Sequence, residues 1–110
     1  MKKKSFVNTI TLNKYLNDKK RNFIDILKID TQGHELEVLK GAKNSLNKIG
    51  IIIVSILFFD FYKKKRISFF DIEKIIKNKF VFWDLVHLYK NPKNNSIDHI
   101  EVLYYNKNLL

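Results

Sequence analysis

The chain is 110 residues long, which is the size of one small domain. Hydrophobic residues make up 45% and charged residues 29%, with only three glycines and one proline, so the composition excludes a collagenous or wholly disordered chain. The absence of cysteine excludes disulfide bonds, thiolate metal sites and a cysteine nucleophile. We therefore expect residues 1–110 to form a single domain around one packed core.

The net charge of +10 would suit a nucleic-acid or anionic-membrane partner. Arginine, which binds base edges and phosphates through two hydrogen bonds, supplies only two of the 21 basic residues, Arg21 and Arg66. Lysine, isoleucine and asparagine all have A- and T-rich codons, so an AT-rich genome explains their abundance without selection for a polyanion. The sequence therefore argues against nucleic-acid binding.

The sequence predicts neither a secretion signal nor a membrane span. The residues after Lys2–Lys4 are polar and alternating rather than an apolar block. The longest apolar run, Ile51–Phe59, is far shorter than the ~20 residues that a membrane-spanning helix needs. We expect the chain to be cytoplasmic.

The first half of the chain alternates between strand and helix patterns. A strand is predicted at Ser5–Thr11, a polar helical turn at Leu12–Lys20 and a second strand at Ile24–Ile29. A helix is predicted over Gly33–Lys48, and Gly50 then fits a helix stop. The apolar stripe of this helix recurs every three or four residues: Leu36, Leu39, Ala42, Leu46 and Ile49.

Another strand and helix are predicted in the middle of the chain. Ile51–Phe59 is apolar except for Ser55, which predicts a strand covered on both faces, as in parallel sheets. A helix follows, with Ser68 and Asp71 in a capping-box-like arrangement. Its apolar face consists of Phe69, Ile72, Ile75 and Ile76.

The chain is predicted to end in a hairpin. Phe80–Tyr89, with Trp83 buried against a helix, and Ile100–Tyr105 are predicted strands on either side of the turn Asn91–Asn95. The complete order, β-α-β-α-β-β, favours an α/β fold that is mostly parallel with an antiparallel end.

The turn Asp30–Gly33 is the best candidate for chemistry. It follows a predicted parallel strand, at the end where open α/β sheets bind ligands. Asp30 can accept hydrogen bonds or act as a base, while Thr31 and Gln32 offer polar contacts, and N–H groups near Gly33 can face an anion. The alternative for Asp30 is a helix N-cap or a turn aspartate, which composition alone favours. His34 borders this cleft, either as a ligand contact or as an exposed first-turn histidine.

Other groups are poorly spaced for chemistry. His34, His87 and His99 form no metal-binding motif, so we expect no metal site. Glu35 and Glu37 are two residues apart and do not share a helix face, which argues against an acid/base pair. The only glycines, at positions 33, 41 and 50, cannot form a glycine-rich phosphate loop.

One segment resembles the signature of FkbM-type S-adenosylmethionine-dependent methyltransferases, which reads approximately K-I-D-x-[QE]-G-x-E-x-x-V-L-x-G-A. The matching residues are Lys28, Ile29, Asp30, Gln32, Gly33, Glu35, Val38, Leu39, Gly41 and Ala42. Weaker similarity extends from about Ser5 to Lys107. Ser55 and Glu101 depart from the family, which usually has Glu and Asp at these two positions.

The resemblance covers only the C-terminal half of the family's domain. It implies a class I (Rossmann-like) methyltransferase sheet of which this chain holds the fourth to seventh strands, the last antiparallel. The glycine-rich cofactor half would be absent. The implied reaction is O-methylation of a sugar or natural-product hydroxyl, with S-adenosylmethionine as cofactor and a small molecule or glycan as acceptor.

The resemblance also implies roles for the turn. Asp30 is the expected catalytic residue, and Asp30, Thr31, Gln32 and Gly33 the expected cofactor contacts. His34 and Glu35 would lie on the substrate side, with Glu35 bracing the turn.

Without the first three strands, Ile24–Ile29 would be an unpaired apolar edge. We therefore expect pairing with an N-terminal half-domain or self-association through this edge. The alternative to an enzyme is a non-catalytic remnant or interaction module that pairs through the same edge.

Overall fold

A computed structural model describes residues 9–31, 33–58 and 69–109. The helices in chain order are α1 (Leu12–Lys19), α2 (Glu35–Gly41), a 3₁₀ helix (Lys43–Lys48) and α3 (Phe69–Ile76). The strands are β1 (Ile24–Ile29), β2 (Ile49–Leu57), β3 (Phe80–Lys90) and β4 (Ile97–Asn106). In these ranges no helix is long and apolar enough to cross a membrane.

The four strands form one mixed sheet in the order β1-β2-β4-β3. β1 and β2 pair in parallel, whereas β4 pairs antiparallel with both β2 and β3. The predicted α/β fold, hairpin and antiparallel last strand are confirmed. The prediction of a mostly parallel sheet is wrong. β4 lies between β2 and β3, which run in the same direction, so two of the three strand pairs are antiparallel.

The two outer strands differ in regularity. The β1–β2 ladder keeps one register from Ile24 to Ile29. The β3–β4 ladder shifts register three times, after Phe82, Leu85 and Tyr89. Such irregularities bend and twist a strand locally.

The described helices form one layer on one face of the sheet. α2 contacts α1, α3 and the 3₁₀ helix, so the helices are continuous with one another. The chain extends only 20 Å in its shortest dimension, which fits one sheet and one layer of helices that are ~10 Å across. The other face of the sheet carries no helix from the described ranges, although the sequence predicts cover on both faces of the second strand.

The core lies between the sheet and this layer. Alternate residues of β2, Ile52, Val54 and Ile56, face the helices and are at most 2% exposed. Leu39 of α2 and Ile72 of α3 are fully buried in the same cluster. Burying each such side chain contributes about 1.5–3 kcal/mol.

The predicted helix over Gly33–Lys48 is two elements. α2 ends at Gly41, Ala42 adopts φ −100° and ψ 0°, and the chain then tightens into the 3₁₀ helix. Gly50 is not a helix stop but a residue of β2, where a Cβ atom would lie 3.0 Å from the carbonyl oxygen of Asp25. Glycine therefore allows β1 and β2 to approach each other there.

Trp83 is 64% exposed rather than buried against a helix, because it lies on the helix-free face of β3, an edge strand. Its ring instead contacts Tyr105, with centroids 4.8 Å apart. Of the predicted strand Ser5–Thr11, the last three residues form no strand and the rest lie outside the described residues. The predicted cap at Ser68 also lies outside them.

Tyr104 joins the sheet to the helix layer. It is fully buried in β4, and its ring centroid lies 6.4 Å from that of Phe69 and 5.8 Å from that of Phe82. Burial and, secondly, the nearby Glu73 carboxylate raise the pKa of Tyr104 far above its ordinary value of 10.0. The phenol therefore remains protonated in the folded protein at alkaline pH.

We expect alkaline pH to destabilise the fold through Tyr104. The unfolded chain releases this proton as the pH rises through about 10, whereas the folded chain keeps it, so the free energy of unfolding falls above that pH. Urea denaturation between about pH 8 and about pH 11 measures the effect. Tyr104→Phe should reduce the fall, and the exposed Tyr89→Phe should not. An equal pH dependence in both variants would contradict this prediction.

Candidate functional site

The turn after β1 lies at the carboxyl edge of the sheet. β1 runs parallel to β2, so the carboxyl ends of both strands meet at this edge. Asp30 and Thr31 follow β1 directly and are exposed. Gln32 lies outside the described residues. The turn is therefore accessible at the end of the strands where open α/β sheets bind ligands.

Asp30 is not a helix N-cap, so that half of the alternative is wrong, whereas its position in the turn between β1 and α2 agrees with a turn aspartate. α2 begins at Glu35, and its N-cap is His34, whose side chain makes no capping hydrogen bond. His34 is exposed beside the turn, at the predicted border of the cleft. The carboxylate of Asp30 lies well before the helix and is not needed to start it.

Glu35 holds the turn from inside. The N–H of Gly33 donates a hydrogen bond to Glu35 Oε2 at 2.8 Å, which is the bracing contact expected for this residue. Glu35 is only 2% exposed, and its other oxygen, Oε1, is buried with no hydrogen-bond partner among the residues that the structure describes. A buried acceptor of this kind needs a donor. Oε1 therefore lies beside the turn as a buried acceptor with no donor among the described residues.

Gly33 gives the turn its direction. Its φ of +113° lies in a region that L side chains rarely adopt. A Cβ atom at this position would have no neighbour within 4 Å in the described part of the chain. The need for glycine is therefore a matter of backbone conformation rather than of space.

The β3–β4 hairpin brings further side chains to the carboxyl edge. Leu57 at the end of β2 pairs with His99 near the start of β4. The Tyr89 ring stacks on His99 with centroids 4.0 Å apart, and the His87 ring lies 4.0 Å from Tyr89. His99 Nδ1 is 3.8 Å from Asp98 Oδ1. Such rings provide an amphipathic surface on which a ring-shaped ligand can lie.

Sequence reasoning missed this group, because His87 and His99 were compared only by their distance along the chain. The hairpin itself contained the signal. In the stretch between two register shifts, residues equally distant from Asn94 pair with each other, so Tyr89 pairs with His99 and His87 with Glu101. Within the described ranges, no three His, Cys, Asp or Glu residues are arranged to hold a metal ion.

A charge pair crosses the helix-free face of the sheet. Lys28 Nζ lies 3.7 Å from Glu101 Oε1, although β2 separates their strands. The contact therefore passes over β2. Because Lys28 is exposed, the pair contributes less than about 1 kcal/mol. Its main effect is to place both charges between the turn and the hairpin.

Comparisons with known proteins agree with the sequence signature at this turn. Residues 2–102 match the family model of the methyltransferase FkbM domain. The hexuronic acid methyltransferase AglP of Haloferax volcanii is 50% identical over 32 residues. This stretch is 29% of the present chain but 13% of AglP, so AglP is more than twice as long. No solved structure matches the chain.

We expect Gly33→Ala to lower the free energy of unfolding by about 1–3 kcal/mol, because alanine is strained at this φ. Gly41→Ala is the matched control, since its Cβ would make only an ordinary 3.4 Å contact with Thr11. The control should stay within about 1 kcal/mol of the unmodified chain. Urea denaturation measures both variants, and equal losses would contradict a special role for the Gly33 backbone.

Proposed function

Because the chain belongs to the methyltransferase FkbM domain family, we propose that it takes part in methyl transfer from S-adenosylmethionine to a hydroxyl oxygen. The family match over residues 2–102 carries this proposal. We propose a sugar or natural-product acceptor, and the relative that acts as a hexuronic acid methyltransferase supports the sugar.

We assign the sheet to the C-terminal half of a class I, Rossmann-like methyltransferase domain. In this assignment β1, β2, β3 and β4 are the fourth to seventh strands. The antiparallel last strand, inserted between β2 and β3, supports the assignment. The greater length of AglP supports a larger complete domain.

The chain fits one wall of a cofactor site. Asp30, Thr31, Gln32 and Gly33 are the proposed contacts, and the unpaired Oε1 of Glu35 is an acceptor at the same turn. The chain has three glycines and no glycine-rich loop, which supports the proposal that residues outside this sequence supply the remaining contacts. When bound, S-adenosylmethionine supplies a methyl group activated by its sulfonium.

Asp30 is the proposed base. In the reaction the acceptor oxygen bonds to the methyl carbon while the sulfur–methyl bond breaks, and the hydroxyl proton passes to a base. The exposed Asp30 carboxylate at the carboxyl edge can take this proton. His34 and Glu35 are proposed to position the acceptor, since correct orientation contributes much of the rate of such transfers.

The outer edge of β1 is the proposed junction with the rest of the enzyme. Among the described strands β1 pairs only with β2, so its other row of N–H and C=O groups is unpaired. We propose that an N-terminal half-domain adds its strands there. A non-catalytic interaction module is the second candidate, favoured by the open edges of both β1 and β3.

The DNA directly upstream of the Met1 codon separates these two candidates. A reading frame that encodes a strand, a glycine-rich turn and an acidic residue after the next strand would support the enzyme. Unrelated sequence there would favour the interaction module.

We expect the isolated chain not to bind S-adenosylmethionine tightly, because it supplies one wall of the cleft. Isothermal titration calorimetry should detect no binding in the micromolar range. A dissociation constant near ~1 μM, equivalent to ~8 kcal/mol, would show that the present residues suffice and would contradict the half-site assignment.

We expect Asp30→Asn to reduce turnover by at least ~100-fold in a complex with the completing half, because the amide cannot take a proton. Methyl transfer from labelled S-adenosylmethionine measures turnover, and circular dichroism checks the fold. Asp25→Asn, the same change at another exposed aspartate, which lies within β1, should retain activity. Full activity of Asp30→Asn would remove Asp30 from the mechanism.

A further inference from the structure

Two carboxylates lie in one row across the sheet, close to its carboxyl edge. Ile29, the last residue of β1, pairs with Val54 of β2, so Asp30 follows at the level of Ser55. Ser55 pairs with Glu101 of β4. Because Val54 faces the core, Ser55 and Glu101 point to the helix-free face. Asp30 and Glu101 therefore belong to the same row, with only β2 between their strands.

The carboxylate of Glu101 is sheltered but lacks hydrogen-bond donors. Its side chain is 14% exposed, and Oε1 lies 3.7 Å from Lys28 Nζ. This separation is an ion pair without a hydrogen bond. Within the described ranges the Glu101 carboxylate accepts no hydrogen bond from any residue. A carboxylate has about four positions for donors, and hydroxyl groups of a ligand can fill those of Glu101.

The small side chain opposite Glu101 allows the carboxylate to move towards Asp30. Glu101 reaches Lys28 by passing over β2, where its partner is only a serine, Ser55. Ser55 is 4% exposed although the described helices lie on the other face, which agrees with a side chain crossing above it. The Glu101 carboxylate thus lies about one strand spacing, ~4.8 Å, from β1 rather than two. Asp30 and Glu101 can therefore contact neighbouring groups of one small molecule.

An aromatic ring lies beside this row, nearer the carboxyl edge. His99 precedes Glu101 by two residues on β4 and so shares its face of the sheet. One side of the imidazole stacks on Tyr89 of β3, with centroids 4.0 Å apart. The other side is turned away from β3, towards β2 and the two carboxylates. A sugar ring suits such surroundings, because it has a C–H face for the imidazole and hydroxyls at its rim for the carboxylates.

We propose that Glu101 and His99 bind the methyl acceptor and that this acceptor is a ring with several neighbouring hydroxyls. The C–H face of the ring lies on His99, and Glu101 accepts a hydrogen bond from the hydroxyl next to the one facing Asp30. This inference rests on the proposed function and adds residues of β4 to those of the signature turn. It favours a sugar over an acceptor with a single hydroxyl.

Two variants separate ligand binding from a purely structural ion pair. Glu101→Gln keeps the size of the side chain but removes the charged hydrogen-bond acceptor. Lys28→Gln removes the other half of the pair and leaves the Glu101 carboxylate in place. A third variant, His99→Leu, removes the aromatic face. Circular dichroism of each variant checks that the fold is retained.

The probes are the α-methyl glycosides of glucose, galactose and mannose, which present neighbouring hydroxyls in different orientations. Cyclohexanol, a ring of similar size with one hydroxyl, is the matched control ligand. Titrations of the full chain followed by saturation-transfer difference NMR measure the affinity of each probe. The measurement needs neither S-adenosylmethionine nor the completing half-domain.

We expect at least one glycoside to bind in the millimolar range and cyclohexanol not to bind. Glu101→Gln should weaken glycoside binding at least ~10-fold, because hydrogen bonds to a charged group are among the strongest. His99→Leu should weaken it about 3-fold through loss of the ring contact. Lys28→Gln should stay within about 2-fold of the unmodified chain, because exposed ion pairs contribute little.

Four outcomes would overturn the proposal. The first is binding of none of the glycosides, and the second is unchanged binding by Glu101→Gln. Equal losses in Glu101→Gln and Lys28→Gln would show that the carboxylate acts only through the ion pair. Equal binding of cyclohexanol and the glycosides would show apolar contact without recognition of neighbouring hydroxyls.

The proposed function is tested separately, by turnover in the complex with the completing half. Glycoside binding that depends on Glu101, in a complex that transfers no methyl group, would contradict methyl transfer and leave the binding site standing. Methyl transfer that is unaffected by Glu101→Gln would support the function and overturn the role of Glu101.

Discussion

The pairing of β4 with two neighbours is the interaction on which the rest of the structure depends. β4 bonds to β2 on one side and to β3 on the other, so β3 would have no partner in the sheet without it. The far end of β4 is fixed by buried Asn106, whose Nδ2 donates to the carbonyl oxygen of Ile49 at 3.0 Å. The same strand places Tyr104 in the core and His99 at the carboxyl edge. The hydrogen bonds between β4 and its two neighbours therefore position both the core residue Tyr104 and the side chain of His99 at the carboxyl edge.

The candidate site is supported by the core rather than by its own loop. Asp30 and Thr31 are exposed, but Glu35, which fixes the turn, lies in the first turn of a helix whose Leu39 is fully buried. A displacement of α2 would thus change the direction of the Gly33 N–H and the position of the free Glu35 oxygen together. This coupling explains why a signature of turn residues continues into the apolar side of a helix.

Local sequence patterns predicted most of the elements but not their lateral arrangement. The strand Ile24–Ile29 and the apolar face of α3 follow directly from periodicity, and the signature located the turn at Asp30. The insertion of β4 depends on tertiary packing, which periodicity does not encode. The same limit led to the wrong environment for Trp83, since an apolar strand pattern does not distinguish an edge from an interior position. The predicted helix over Gly33–Lys48 is interrupted at Ala42, but the apolar residues on both sides of the break still face the core. The spacing of apolar residues in the sequence therefore gives no sign of the break.

The unequal regularity of the two outer strands decides which edge of the sheet is more open to aggregation. An incoming strand needs an even row of donors and acceptors, and the three register shifts of β3 disturb that row. β1 keeps its register and exposes Ile26, so it is the better template for amyloid-like growth. Of the two open edges among the described strands, β1 is therefore the one at which added strands would start aggregation.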